Sequence, residues 1–387
     1  MVKYWRTHGL KIVMFLDDGW GCNKNLELTI VDSNFVKVSL EQAGFVINKE
    51  ISVWYPVQEL EWIGILWNSK RFCISIPDRR VSDLKKCLKS LLNGLPFVTA
   101  RNLAKVTGKI ISMMAVIGNL SRLMTRFLYK EIETRHSWDF HYKLSHRHPC
   151  ISELSFWLEN VDKLNVKNLS VYEPVQTTVF SDASHTSCGS YIVDCANTVF
   201  RSMWSCEEQE KSSTFRELRA VFLALRAYGS TLKNLSVKWF SDSQSCVKIV
   251  QAGSTKLELQ HDSLEIFNLC LKWNIDLNIQ WVPRTQNQIA DHISKIHSTD
   301  EWEVSTEFFK FMDQMWGPHD IDRSASFKNR KLKRFNSLFF DFESEAVDAF
   351  TQSWSGCNNW LVPPIYLVNK TIFHLLACKG KGTLVVP

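Results

Sequence analysis

Residues 178–190 read TVFSDASHTSCGS. The stretch opens as an alternating strand through Phe180 and Ser181 and ends in a carboxylate, Asp182. Small residues follow, and a second strand begins at about Gly189. A carboxylate in a strand core is costly unless it is paired or binds a metal. The plain alternative is an exposed aspartate at a strand end. Working outward, strand patterns cover 177–181, 189–193 and 198–204, then helix 214–228, strand 236–240 and helix 243–251. Helix 256–273, strand 276–282 and helix 286–296 complete the series. Three strands followed by alternating helix and strand argue for one mixed sheet with helices on its faces.

Three more acids need explaining, and each has an ordinary reading. Glu217 stands three residues after Thr214, as in a capping box. Asp242 lies between a strand and a helix, where aspartate is a common N-cap. Asp291 sits early in the last helix, where the macrodipole favours negative charge. Together with Asp182, all four lie at strand or helix ends, which can converge on one edge of the sheet. Four converging carboxylates repel one another, and divalent cations compensate. Oxygen-only ligation suits Mg²⁺ or Mn²⁺. Two such ions about 4 Å apart make a phosphodiester-cleaving centre.

The 387 residues suffice for two or three domains, and 45% hydrophobic with 22% charged residues is globular composition. No apolar run reaches a membrane span, and residues 1–20 lack a signal-peptide pattern. The expectation is a soluble intracellular protein, in cytoplasm or nucleus. Eleven cysteines, an odd number with no Cys-x-x-Cys pair, read as reduced thiols. His136, His141, His146, His148 and Cys150 match no usual zinc spacing and read as a polar connector.

The net charge of +6 is unevenly spread. Residues 1–136 carry 20 Lys+Arg against 12 Asp+Glu, whereas 170–300 carry 12 against 14. The basic front half suggests a polyanionic partner. There, KIVMFL at 11–16 reads as a strand ending in the turn Asp17-Asp18-Gly19. WIGILW at 62–67 and RFCISI at 71–76 read as two further strands. A helix follows from Pro77-Asp78 to Asn93, with Leu84, Leu88, Leu91 and Leu92 on one face and Lys85, Lys86 and Lys89 on another. The lysines are either a solvated face or a phosphate-contacting one. Thr99 caps the next helix, and a third spans about 120–135. A short helix lies near 153–159. Beyond 300 the pattern weakens, with a basic run, KNRKLKR, at 328–334. That run reads as a nuclear signal or a basic surface.

The blocks TVFSDASHTSCGS, TFRELRA (214–220), WFSDSQSCV (239–247) and NQIADHIS (287–294) resemble, in order, the four catalytic blocks of ribonuclease H type 1. The resemblance spans about 175–298. It implies a mixed five-stranded sheet with helices. It puts the catalytic, metal-binding carboxylates on Asp182, Glu217, Asp242 and Asp291, with Asp182 bridging two Mg²⁺ ions. The implied activity is endonucleolytic cleavage of the RNA strand of RNA–DNA hybrids, leaving 3′-hydroxyl and 5′-phosphate ends. Residues 281–286 (WVPRTQ) depart from the family by lacking the mobile histidine that many members carry before the last aspartate. This affects expected turnover more than chemistry.

Phe15-Leu16-Asp17-Asp18 resembles the x-x-Asp-Asp box of reverse transcriptases, and residues 61–66 resemble the hairpin after it. No acid precedes Lys11 to complete a polymerase site, so Asp17 and Asp18 read as vestigial and no DNA synthesis is expected. Segments 322–336 and 347–354 resemble those downstream of ribonuclease H in DIRS-type retroelements. The expected organisation is a partial palm (1–77), a helical thumb-like segment (78–136), a connector (137–175), a ribonuclease H-like domain (176–298) and a partly irregular C-terminal extension (299–387). The expected partner is an RNA–DNA hybrid or other nucleic acid, held in part by Lys85, Lys86 and Lys89. Neither a membrane nor a small-molecule cofactor is expected. The rival expectation is a nucleic-acid-binding remnant without catalysis, or a polymerase completed by a missing N-terminal half.

Overall fold

The computed structural model describes residues 1–169, 174–193, 195, 198–296, 303–341 and 343–387. The expected boundary at 298/299 lies outside them. The chain forms two compact units, Met1–Tyr172 and Glu173–Pro387.

In the first unit, strands Lys11–Phe15 and Asp18–Cys22 form a hairpin. Its turn is Leu16-Asp17, one residue earlier than the sequence suggests, so Asp18 is already paired with Phe15. WIGILW is two strands rather than one. Glu59–Trp62 and Ile65–Asn68 pair across a turn in which Ile63 and Gly64 both have positive φ. Gly64 takes that conformation freely, whereas a β-branched isoleucine rarely does, which hid the turn. Helix Asp78–Asn93 buries Val81, Leu84, Leu88 and Leu91. Thr99 caps helix Ala100–Ile111 by accepting the Asn102 N–H. The expected helix at 120–135 is broken into Leu120–Leu123 and Arg126–Glu133. The helix near 153–159 is longer, Pro149–Asn160, and sends Leu154 and Trp157 into the same core as Leu84 and Leu103.

The second unit is built on a five-stranded sheet with helices, the mixed architecture expected from its blocks. In chain order the elements are β1 (Thr177–Ala183), β2 (Ser187–Ile192), β3 (Phe200–Met203), α1 (Ser213–Tyr228) and β4 (Ser236–Ser241). Then come α2 (Gln244–Ala252), α3 (Leu257–Trp273), β5 (Asp276–Trp281) and α4 (Gln288–Lys295). The strand order is β3-β2-β1-β4-β5. β1 pairs antiparallel with β2 and parallel with β4, and β4 is parallel to β5. Helix α1 is buried almost all round, from Phe215 to Tyr228, and packs with Val179, Val237 and Trp239 of the sheet.

Residues 303–387 are more ordered than the sequence suggests. Strands Ile321–Asp322, Asn358–Leu361 and Lys381–Leu384 form a parallel three-stranded sheet. Helices Thr306–Trp316 and Val368–Ala377 accompany it. The segment also touches the five-stranded part: Phe340 donates its N–H to the Val199 carbonyl at 2.8 Å and its ring lies 5.5 Å from Tyr228. Among the described residues, no helix is long and apolar enough to cross a membrane.

Candidate active site

The central strand β1 carries Asp182 near its end, opposite Gly189 of β2. Gly189 has no side chain for a spatial reason. A Cβ there would lie 2.6 Å from both Ile293 Cγ2 and the Ser294 backbone nitrogen. Its absence lets α4 rest directly on the sheet. Serines complete the seat: Ser184 and Ser187 both donate to the Ser294 carbonyl, at 2.6 and 2.7 Å. Helix α4 therefore reaches Asp182. Ser294, fully buried, donates its hydroxyl to Asp182 Oδ2 at 2.6 Å. Asn287 Nδ2, at the start of α4, donates to the Ser181 carbonyl at 3.1 Å and lies 3.4 Å from Asp182 Oδ1.

The ordinary readings of Glu217 and Asp242 fail. Ser212, not Thr214, caps α1 by accepting the Phe215 N–H, so Glu217 lies beyond the capping turn. Ser243, not Asp242, caps α2 by accepting the Cys246 N–H. Neither acid is the cap of its helix. Carboxylate oxygens of Asp182, Glu217 and Asp242 lie within 4.8 Å of one another. Asp182 and Glu217 are buried and Asp242 is half-buried. Asp182 is therefore no exposed strand-end aspartate.

Burial raises the Asp182 carboxyl to about 6, against the Ser294 hydrogen bond, with the Asp242 and Asp291 charges adding to the rise. Burial pushes Glu217 well above the usual carboxylate range, and the Asp182 and Asp242 charges push it further. Burial also raises Asp242, against the pull of Arg284. Asp291 differs. Partial burial pushes it up, but hydrogen bonds from Lys295 and Arg284 outweigh that and hold it low. Arg284 Nη2 donates to it at 2.6 Å and Lys295 Nζ at 2.7 Å. Asp291 thus stands at the rim, compensated by two cations, and is not one of the three clustered acids. Its neighbour His292 is exposed.

The cluster fits a hard divalent cation on its own geometry. The three acids offer oxygen atoms only. Glu217 Oε2 is buried with no hydrogen-bond partner, and so is Asn287 Oδ1. Unpartnered buried oxygens beside like charges are costly, and a cation removes both costs.

The other candidates are placed elsewhere. Asp17 and Asp18 are exposed at the hairpin turn. Among the described residues one further group brings three ligand-type atoms within 4.8 Å: Glu131, His148 and Cys150. There His148 Nδ1 accepts the Cys150 N–H at 3.3 Å and caps helix Pro149–Asn160. His136, His141 and His146 are not part of it. The three lysines of helix Asp78–Asn93 divide: Lys85 is hydrogen-bonded to Asp162, whereas Lys86 and Lys89 are exposed. In the basic run, Arg330 pairs with Glu343 and Arg334 with Glu345. Sequence reasoning missed Ser294, Asn287, Arg284 and Lys295 as partners of the acids. Ser294 and Asn287 lie inside the block NQIADHIS, but only the fold shows where they point.

No protein-family model and no curated protein matches the sequence. Among solved structures, the chain is similar to RNase H1 from the halophilic archaeon Halobacterium salinarum NRC-1, at 18% identity and a TM-score of 0.26. That match covers 30% of this chain and 92% of the other. LC11-RNase H1 in complex with an RNA/DNA hybrid gives 18% identity, 30% and 93% coverage and a TM-score of 0.27. The foamy viral protease-reverse transcriptase in complex with an RNA/DNA hybrid gives 13% identity and a TM-score of 0.36. This chain spans 40% of that one, over 79% of its own length. At these identities and scores, the functional reading rests on the carboxylates themselves.

Proposed function

We propose that the second unit is a metal-dependent endonuclease that cuts the RNA strand of RNA–DNA hybrids. The observation that carries this is the convergence of Asp182, Glu217 and Asp242 within 4.8 Å, in the order of the ribonuclease H blocks. Asp182, Glu217 and Asp242 would hold Mg²⁺ or Mn²⁺, with Asp291 serving a second ion at the rim. Such ions supply an activated water and stabilise the leaving oxygen. The chain's own residues prepare the site. Ser294 and Asn287 fix the Asp182 carboxylate, and Gly189 lets the helix that carries Ser294 reach it. Arg284 and Lys295 hold Asp291 ionised. Arg284 lies in the stretch where the family carries its mobile histidine. We assign the reading to a retroelement-type nuclease on the strength of its blocks. The proposal makes no use of Asp17 and Asp18, which are exposed at the hairpin turn.

A second reading is a nucleic-acid-binding remnant, favoured by one observation: Asp291 is engaged by two cations. The full chain separates the two when hybrid binding in EDTA and hybrid cleavage in Mg²⁺ are measured on one preparation. The nuclease reading expects both, with cleavage lost and binding kept in Asp242→Asn. Binding without cleavage in the parent chain leaves only the remnant.

A further inference from the structure

The first unit contains a groove of about 450 Å³ that the carboxylate site does not use. It lies against helices Asp78–Asn93 and Ala100–Ile111 and the short strands Phe97–Thr99 and His141–Lys143. Lys86, Lys105 and His141 line it, together with Ser90, Asn102 and Phe97. No acid is among the lining residues. Neither Lys86 nor Lys105 is held in a salt bridge among the described residues. Asp83, the acid that feels Lys86 and Lys105, is hydrogen-bonded to Lys109 instead. Phe97, which lines the same groove, is 58% exposed.

Each feature selects for the same ligand. Lysines that no salt bridge holds attract phosphate. Ser90 and Asn102 supply neutral hydrogen-bond donors. An exposed ring offers a stacking face for a base, which every base can use. The volume is that of a small-ligand pocket, on the scale of one nucleotide and not of a duplex. We propose that this groove binds a nucleotide of single-stranded nucleic acid, with the phosphate drawn to Lys86 and Lys105 and the base stacked on Phe97. The site would hold an unpaired strand by itself, independently of the carboxylate cluster.

The lysines of helix Asp78–Asn93 then have separate roles. Lys86 and Ser90 are four residues apart and share the face turned to the groove. Lys85 lies about 100° away and is tied to Asp162.

The test uses the full chain in EDTA, so that any nuclease activity is silent and its failure cannot be confused with this one. Anisotropy is measured with a labelled oligothymidylate of about 12 nucleotides, and separately with duplex DNA. Phe97→Ala should weaken single-strand binding roughly tenfold and leave duplex binding unchanged, while Phe97→Tyr keeps the affinity. Lys86→Ala and Lys105→Ala should each lower the slope of log K against log salt by roughly 0.7. Phe97 is exposed, so the variants should fold as the parent does, which the thermal midpoint checks. Unchanged single-strand binding in Phe97→Ala overturns the proposal. So does an equal loss for duplex, which would make the face a duplex contact.

Discussion

At the residue scale, the site turns on hydrogen bonds that local sequence does not disclose. Asp182 is readable as a carboxylate in a strand, but its hold on Ser294 comes from a helix more than a hundred residues later. A hydrogen bond to a charged group contributes about 1.5–3 kcal/mol. Removing a group that orients a metal ligand typically costs 10–100-fold in affinity or activity. Ser294→Ala should therefore lower hybrid cleavage by roughly that factor and raise the Mg²⁺ concentration needed for half-maximal rate. Ser294→Thr keeps the hydroxyl and should restore most of it. A Mg²⁺ requirement identical in Ser294→Ala and the parent would show that the hydroxyl does not position Asp182. Glu217 and Asp242 each also fitted an ordinary local signal. Thr214 and Asp242 both fit cap positions in the sequence, yet Ser212 and Ser243, one or two residues away, take those caps. Cap competition between neighbouring Ser, Thr and Asp is decided by the backbone angle at the helix start, which the sequence does not specify.

At the element scale, two close fits set the architecture. Gly189 admits α4, and any side chain there must displace Ile293 or the Ser294 backbone. Gly189→Ala should cost about 1–3 kcal/mol, seen as a lower thermal midpoint, and should reduce cleavage by shifting Ser294. Full stability would mean that α4 can move aside freely. The second fit is a cap supplied from another helix. Helix Arg126–Glu133 has no side-chain cap of its own. Glu153 of helix Pro149–Asn160 instead accepts the Phe127 and Leu128 N–H groups, at 3.0 and 2.9 Å. Burial outweighs these bonds and raises its carboxyl to about 7. Between its unfolded value near 4.5 and 7, the folded state holds a proton that the unfolded state has lost. Stability therefore falls as pH rises through this window, by about 3 kcal/mol. Glu153→Gln removes that contribution, so its midpoint should gain on the parent's from pH 4.5 to 7 and run parallel above. Parallel curves throughout would contradict the assignment. Most elements of the five-stranded sheet and its helices were legible because they are long enough to show their period. The strands Ile321–Asp322 and Lys381–Leu384 were not, since two to four residues show no alternation and their partners lie far along the chain.

At the scale of the whole molecule, the charge asymmetry of the sequence acquires two physical meanings. The front excess of cations is partly taken up in ion pairs, as at Lys85 and Lys109, whereas Lys86 and Lys105 line the groove outside any salt bridge among the described residues. Three of the 14 acids of the middle segment converge where burial and mutual repulsion keep them above their usual range. Such a cluster lowers stability unless a cation or a proton relieves it, and acids shifted in this way gather at functional sites. The fold class was legible from the order of strands and helices. The order Asp182, Glu217, Asp242, Asp291 was legible too, whereas the outlying position of Asp291 emerged only with Arg284 and Lys295 in place. The central claim is that these carboxylates serve hydrolysis of RNA in a hybrid. The most direct measurement incubates the full chain with Mg²⁺ and an RNA–DNA hybrid labelled on both strands, alongside Asp182→Asn. The account predicts cut RNA with 3′-hydroxyl ends, intact DNA, and loss of cutting in Asp182→Asn. Equal cutting by both proteins, or none by either, would contradict it.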